Sequence, residues 1–221
     1  MRTGLLGGSF NPIHNAHLRI AGEAQAECNL DRIIFIPAAD PPHKPIAGEI
    51  SFEQRSGMVK RAIAGRADFE ISLIEAERSG KSYSIDTIRI FRELYPYDAL
   101  FFIIGGDSFL EIGTWRCFGD IFSNCNLIVV ERPGFLISDR INALPESVRE
   151  RFHLDGKSGR LLHDSGHSVT FVTGSPMELS STEIRQLAAA GADISKYVPP
   201  DVAEYISQQR IYTDAEKNSE N

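Results

Sequence analysis

The six residues Arg32-Ile33-Ile34-Phe35-Ile36-Pro37 decide the fold class. The run is apolar without alternation, rich in β-branched residues, too short for a helix and closed by proline, which is the pattern of a strand covered on both faces of a parallel sheet. Upstream of it, Leu5 and Leu6 close a short apolar strand that begins near Thr3. Gly7-Gly8 then opens a turn where the lack of side chains lets backbone approach a ligand. After Asn11-Pro12 a helical pattern runs from about His14 to Cys28, with Leu18, Ala21, Ala24 and Ala26 on its apolar face. Strand, glycine turn and helix form the first unit.

The same alternation continues downstream. Ala38 to Ile50 carries Pro41, Pro42 and Pro45 with His43 and Lys44 and reads as loop. A helix begins after Ser51, Phe69 to Leu73 is a strand, and Ser84 is expected to cap a helix to about Leu94. Ala99 to Ile104 is a buried strand that ends in Gly105-Gly106-Asp107, and Leu127 to Val130 is another. Arg140 to Phe152 is expected to be helical and Val169 to Val172 a strand. A helix capped by Ser180 or Ser181 runs to Gly191, and a last helix begins after Pro199-Pro200. These elements predict an α/β fold: a Rossmann-like, doubly wound parallel sheet with helices on both faces and right-handed crossovers. Residues 1–213 are expected to form one domain, and the polar residues 214–221 a frayed or disordered tail.

Composition narrows the function classes. The chain has 221 residues, of which 42% are hydrophobic and 24% charged, enough for a sizeable core, and its net charge of −7 offers no general basic field for nucleic acid. Cys28, Cys117 and Cys125 form an odd set without C-x-x-C spacing and read as reduced thiols. No signal-peptide core and no apolar run near 18 residues is present, so neither export nor a membrane partner is expected, and the location expected is the cytoplasm.

Nucleotide sites in such folds lie at the carboxyl ends of the strands, which makes the loop after the first strand the first place to search. No G-x-G-x-x-G stands after Leu6, and the G-K-S triplets at Gly80 and Gly156 have Glu75 and Arg151 where a Walker loop needs its leading glycine. The loop instead reads Gly7-Gly8-Ser9-Phe10-Asn11-Pro12-Ile13-His14-Asn15-Ala16-His17. Two histidines three residues apart at a helix start share one face beside unsatisfied N–H groups, a place suited to polyphosphate. A metal pair is the rival reading, for which no third ligand stands at a persuasive spacing. Late in the chain, Leu179-Ser180-Ser181-Thr182-Glu183-Ile184-Arg185 offers hydroxyls and a guanidinium to an anion, or merely a capping box and a solvated arginine. Asp107 can accept from ribose hydroxyls or cap a helix.

Taken together, GGSFNPIHNAHL and LSSTEIR closely resemble the nucleotidyltransferases whose signature is a histidine, any residue, glycine, histidine loop with a late I-S-S-T-x-I-R motif. Pro41-Pro42-His43-Lys44, Ser82-Tyr83-Ser84-Ile85-Asp86-Thr87, Gly105-Gly106-Asp107-Ser108 and Trp115 match, in order, the bacterial nicotinate-nucleotide adenylyltransferases. Asn11 stands where relatives commonly carry Asp, Ala16 where glycine is usual, and Ser84 where Thr is frequent. The resemblance implies adenylyl transfer from ATP to nicotinate mononucleotide, giving nicotinate adenine dinucleotide and pyrophosphate, with Mg2+ held mainly by phosphates and water. It implies that His14, His17 and Arg185 are catalytic, and that Gly7, Gly8, Ser9, Phe10, Asp107, Ser181 and Thr182 join them in binding ATP. Asn11, Lys44, Thr87 and Trp115 fall to the mononucleotide, with Trp115 stacked on its ring. The runner-up acceptors are nicotinamide mononucleotide and phosphopantetheine. From another class come a hydrolase with Ser108 as nucleophile, read from Gly106-Asp107-Ser108, and a non-catalytic nucleotide-binding module.

Overall fold

A computed structural model describes residues 1–42, 46–131, 139–174 and 180–213. In chain order the elements are β1 (Arg2–Gly8), α1 (Asn15–Cys28), β2 (Arg32–Pro37), α2 (Phe52–Ala62), β3 (Phe69–Ile71), α3 (Ser84–Leu94) and β4 (Ala99–Gly105). Next come α4 (Gly106–Leu110), α5 (Phe118–Asn124), β5 (Asn126–Glu131), α6 (Glu146–Arg149), β6 (Phe152–Leu154), β7 (Leu161–His163), β8 (Ser168–Thr173), α7 (Ser181–Ala189) and α8 (Pro200–Gln208). All eight strands join one sheet in the order β3-β2-β1-β4-β5-β8-β7-β6. The first six are parallel, as expected from the sequence, whereas β6 and β7 pair antiparallel at one edge.

The apolar runs explain this arrangement. Ile33, Ile34, Phe35 and Ile36 of β2 are all buried, and so are Phe101 to Ile104 of β4 and Leu127 to Val130 of β5, because helices cover both faces of the sheet. One core layer sets Ile33, Phe35 and Ile103 against Ala21, Ala24 and Val59 of the helices, and the other sets Ile34, Ile36 and Phe102 against Ile85, Ile88 and Phe91. Strand order reverses between β1 and β4, where crossovers leave for opposite faces and the carboxyl ends of two strands frame a crevice.

Three local expectations need correction. The segment from Arg140 to Phe152 is not one helix: Pro145 interrupts it, only α6 is helical, and Phe152 begins β6, where its ring packs edge-on against Phe122. The β6–β7 hairpin stands where no strands are expected, because three-residue strands give almost no periodic signal, although the turn glycines Gly159 (φ 67°) and Gly166 (φ 90°) bracket β7. Finally, α3 is capped by Tyr83, whose carbonyl accepts from Asp86 and Thr87, and Ser84 is already its first helical residue. Among the described residues no helix is long and apolar enough to cross a membrane. Residues 214–221, expected to fray, lie outside the described residues.

Candidate active site

The crevice at the β1–β4 switch point holds a cavity of about 330 Å3. Gly7, Gly8, Ser9 and His17 line it from β1 and α1, Gly105 and Ser108 from β4 and α4, and Thr87, Trp115, Glu75 and Arg116 from α3 and the segments before and after it. Of the residues singled out from sequence, Gly7, Gly8, Ser9, His17, Thr87 and Trp115 therefore line one space. Phe10 does not. Its backbone is left-handed (φ 45°), and its ring, 1% exposed, sits in the core with an edge toward His17 at 5.2 Å between centroids. Lys44 and its neighbour His43 lie outside the described residues.

The two histidines are placed differently. His14 is the N-cap residue of α1 and buried, whereas His17, one turn on, reaches the cavity wall, and their rings lie 3.9 Å apart. The His14 N–H donates to Nδ1 of His17 at 3.3 Å. That bond occupies Nδ1 as an acceptor, so the neutral His17 ring carries its proton on Nε2. Burial pushes the His14 pKa down to about 4, and burial followed by the neighbouring His14 holds His17 well below the ordinary imidazole value. Both rings are thus neutral at pH 7, and His17 offers an N–H donor without introducing a charge.

The late motif meets the early one at the loop after β1. Ser180 caps α7, accepting from the Glu183 N–H while the Glu183 carboxylate accepts from the Ser180 N–H and hydroxyl. This capping box orients the first turn of α7 so that Ser181 Oγ donates to the Pro12 carbonyl at 3.3 Å. Arg185 extends one guanidinium nitrogen to the Asn11 carbonyl at 2.7 Å and the other to Thr182 Oγ1 at 3.1 Å. Sequence positions 174 residues apart are joined in this way. Asp107 is exposed in the first turn of α4, beside the cavity residues Gly105 and Ser108, and the N-cap there is Gly105.

Asn11 plays a part that the sequence does not show. Its side chain is 3% exposed, with Nδ2 donating to the Ala47 carbonyl at 2.8 Å and Oδ1 accepting from the Tyr212 hydroxyl at 2.6 Å. Both ends of the amide are engaged within the protein, so in this structure the residue organises the loop and does not face the cavity. An aspartate could accept from Tyr212 but would set a carboxylate oxygen against the Ala47 carbonyl, a reason for Asn at this position.

At the start of α3, Thr87 Oγ1 donates to Glu75 Oε1 at 2.7 Å and accepts from Arg78 at 3.2 Å. Ser82 Oγ accepts from the N–H groups of Ala39 and Asp40, tying the loop after β2 to the entry of α3. Trp115 is half-buried, its ring edge-on to Phe102. Arg116 lies over the Tyr83 ring and donates to Asp86 at 3.4 Å, placing a cation at the rim beside Trp115. Glu75, Arg116, Tyr212 and the buried Arg55 are not visible in the sequence because each acts through contacts between distant segments. Among the described residues no three His, Cys, Asp or Glu side chains are placed to hold a metal ion.

The family model for cytidylyltransferase-like proteins matches residues 5–187. A protein of Pelobacter propionicus named a probable nicotinate-nucleotide adenylyltransferase is 56% identical over 97% of this chain and 99% of its own length. One of the same name from Geobacter metallireducens is 53% identical over 96% and 99%. Among solved structures, nicotinic acid mononucleotide adenylyltransferase of Plasmodium falciparum, complexed with NaAD, superposes with a TM-score of 0.69 at 20% identity, covering 96% of this chain and 97% of that one. At that identity the likeness speaks for the fold.

Proposed function

The chain belongs to the cytidylyltransferase-like family, and on that premise we propose that it transfers the adenylyl group of ATP to nicotinate mononucleotide, releasing pyrophosphate and forming nicotinate adenine dinucleotide. The observation that carries this reading is the cavity itself. It is lined by glycines and a neutral imidazole donor together with an aromatic ring and a hydrogen-bonded threonine, the groups that would bring a triphosphate and a pyridine nucleotide together. The same relatives' names speak against a Ser108 hydrolase and a non-catalytic binding module.

The chemistry asks little of the protein in proton transfer. The mononucleotide phosphate, with a second pKa near 6, is largely dianionic at pH 7 and attacks the α-phosphorus of ATP without a general base. The P–O bond to the β-phosphate breaks as the new one forms, so the protein must align two anions and absorb charge on the oxygens in flight. Its N–H groups near Gly7, Gly8 and Ser9 and the His17 Nε2–H are the donors assigned to the triphosphate. Ser181, Thr182 and Arg185 receive the leaving pyrophosphate, with His14 setting the His17 tautomer from behind. Asp107 is assigned to ribose hydroxyls, Trp115 to the pyridine ring, and Lys44 to the mononucleotide.

Magnesium prefers hard oxygen ligands and keeps several waters, so it is assigned mainly to the phosphates and water, arriving with the nucleotide. It would supply charge neutralisation at the phosphate oxygens. The test is pyrophosphate release with ATP, Mg2+ and, in parallel, nicotinate mononucleotide, nicotinamide mononucleotide or phosphopantetheine. Turnover should be fastest with the first. Equal rates with the first two would remove the preference for the acid, and release with phosphopantetheine alone would replace the acceptor.

A further inference from the structure

Arg55 is the largest fully buried side chain of the described residues, at 1% exposure, and adenylyl transfer as assigned to the cavity gives it no role. It projects from α2, which is fixed at its start by the Ser51–Gln54 capping box. Its Nη1 donates to the Ser9 carbonyl at 2.8 Å, while its Nε is buried without a hydrogen-bond partner. The Phe52 ring lies 5.4 Å away, and among the described residues no carboxylate comes within ion-pair distance. A guanidinium buried in this way costs several kcal/mol in desolvation, where methionine would fill a similar space without that cost.

The loop it touches explains why a cation is useful. Along the turn, the Ser9 carbonyl is held by Arg55, the Asn11 carbonyl by Arg185 and the Pro12 carbonyl by Ser181, three donors from two helices. Carbonyl oxygens carry partial negative charge and repel a polyphosphate, so a turn that binds one must hold its carbonyls aside. Ser9 lines the cavity and Arg55 does not, which places the guanidinium behind the turn.

We propose that Arg55 is a positioning residue for adenylyl transfer: from behind the turn it holds the Ser9 carbonyl off the triphosphate and sets a buried positive charge across the loop from it. The proposal rests on adenylyl transfer as the reaction of this cavity and adds a residue to it. It distinguishes ATP from the mononucleotide, because Ser9 lies on the loop that leads to His17, assigned to ATP, whereas Thr87 and Trp115 are assigned to the mononucleotide.

The experiment is steady-state kinetics of the full-length Arg55→Met and Arg55→Lys variants with each substrate varied, alongside thermal unfolding. For the methionine variant KM for ATP should rise about tenfold and kcat fall about tenfold, with KM for nicotinate mononucleotide changed by less than about threefold. Lysine, which keeps the charge but not the fork, should recover most of the lost kcat while KM for ATP stays raised about threefold. A folded methionine variant with wild-type kinetics for ATP overturns the proposal, as does a loss shared equally by both substrates that lysine does not restore. Should methionine prevent folding, the lysine variant decides: a rise confined to KM for ATP supports the assignment, and unchanged kinetics or an equal rise for both substrates refutes it. Wild-type enzyme in the same assay separates the two layers, since its failure to release pyrophosphate would strike the reaction itself and, with it, the role given to Arg55.

Discussion

Replacing His17 tests the assignment of its two nitrogens separately. In the structure Nδ1 accepts the His14 N–H at 3.3 Å, leaving Nε2–H for the phosphates. Glutamine places an amide nitrogen near the Nε2 position and so keeps the donor. Asparagine places its oxygen near Nδ1 and so keeps the acceptor but loses the donor. Removing one preorganised donor to a transition-state oxygen lowers kcat by about a hundredfold to a thousandfold, roughly 3 to 4 kcal/mol. The expected order of kcat is therefore wild type, then Gln, then Asn and Ala together at the bottom. The structural cost is smaller, because the ring is half-buried and its ring contacts are with His14 and Phe10. At about 1 to 2 kcal/mol for the alanine variant, the midpoint of unfolding should fall by only roughly 2 to 8 °C. Coupled detection of pyrophosphate at saturating ATP, with circular dichroism of the same samples, reads both quantities. If asparagine were as active as glutamine, or alanine lost less than about tenfold in kcat, the donor role of Nε2 would be refuted.

Other perturbations address neighbouring links. His14, with its folded-state pKa near 4 against an unfolded value near 6.5, binds fewer protons folded than unfolded between those limits; stability should rise from pH 4 to about 6.5 and then level. An unfolding series across that range, compared with His14→Asn, checks this, and a slope unchanged by the substitution would refute the assignment. Tyr212→Phe leaves Asn11 Oδ1 without its donor at a cost of about 1 to 2 kcal/mol, so calorimetry should show a midpoint roughly 2 to 8 °C lower; an unchanged midpoint would mean the 2.6 Å bond contributes nothing. Trp115→Ala should raise KM for the mononucleotide about tenfold, the worth of one aromatic stack, while leaving KM for ATP near its original value. A selective loss of ATP binding would move Trp115 to the other substrate.

How much of the molecule is legible in its sequence depends on the reach of each signal. Runs such as Arg32–Pro37 and Ala99–Ile104 declare themselves because burial on both faces leaves few polar residues in the strand, and most of the parallel sheet can be read from them. The hairpin of Leu161–His163 with Phe152–Leu154 does not, since three residues cannot establish a period and its pairing is held by turns. At the site, the glycines and His17 are visible because a helix start after a strand fixes their placement locally. Spacing groups His14 with His17, but the bond from the His14 backbone N–H to His17 Nδ1 is seen only in the folded chain. Asn11 reads as a ligand residue and is instead engaged by Ala47 and Tyr212, the latter a partner 201 residues away that no local pattern indicates. Arg55 and Glu75 are hidden for the same reason: a charged residue in a helix or loop usually faces water, and only the packed chain shows that these do not.

The central claim is that the early imidazole pair and the late guanidinium serve one triphosphate. A crystal structure of the protein with Mg2+ and a non-hydrolysable ATP analogue tests it most directly. The expected result is His17 Nε2 within hydrogen-bond distance of the α- or β-phosphate and Arg185 reaching the outer phosphates across the Ser9–Pro12 turn. Phosphates bound elsewhere in the cavity, with His17 and Arg185 both turned from them, would contradict it.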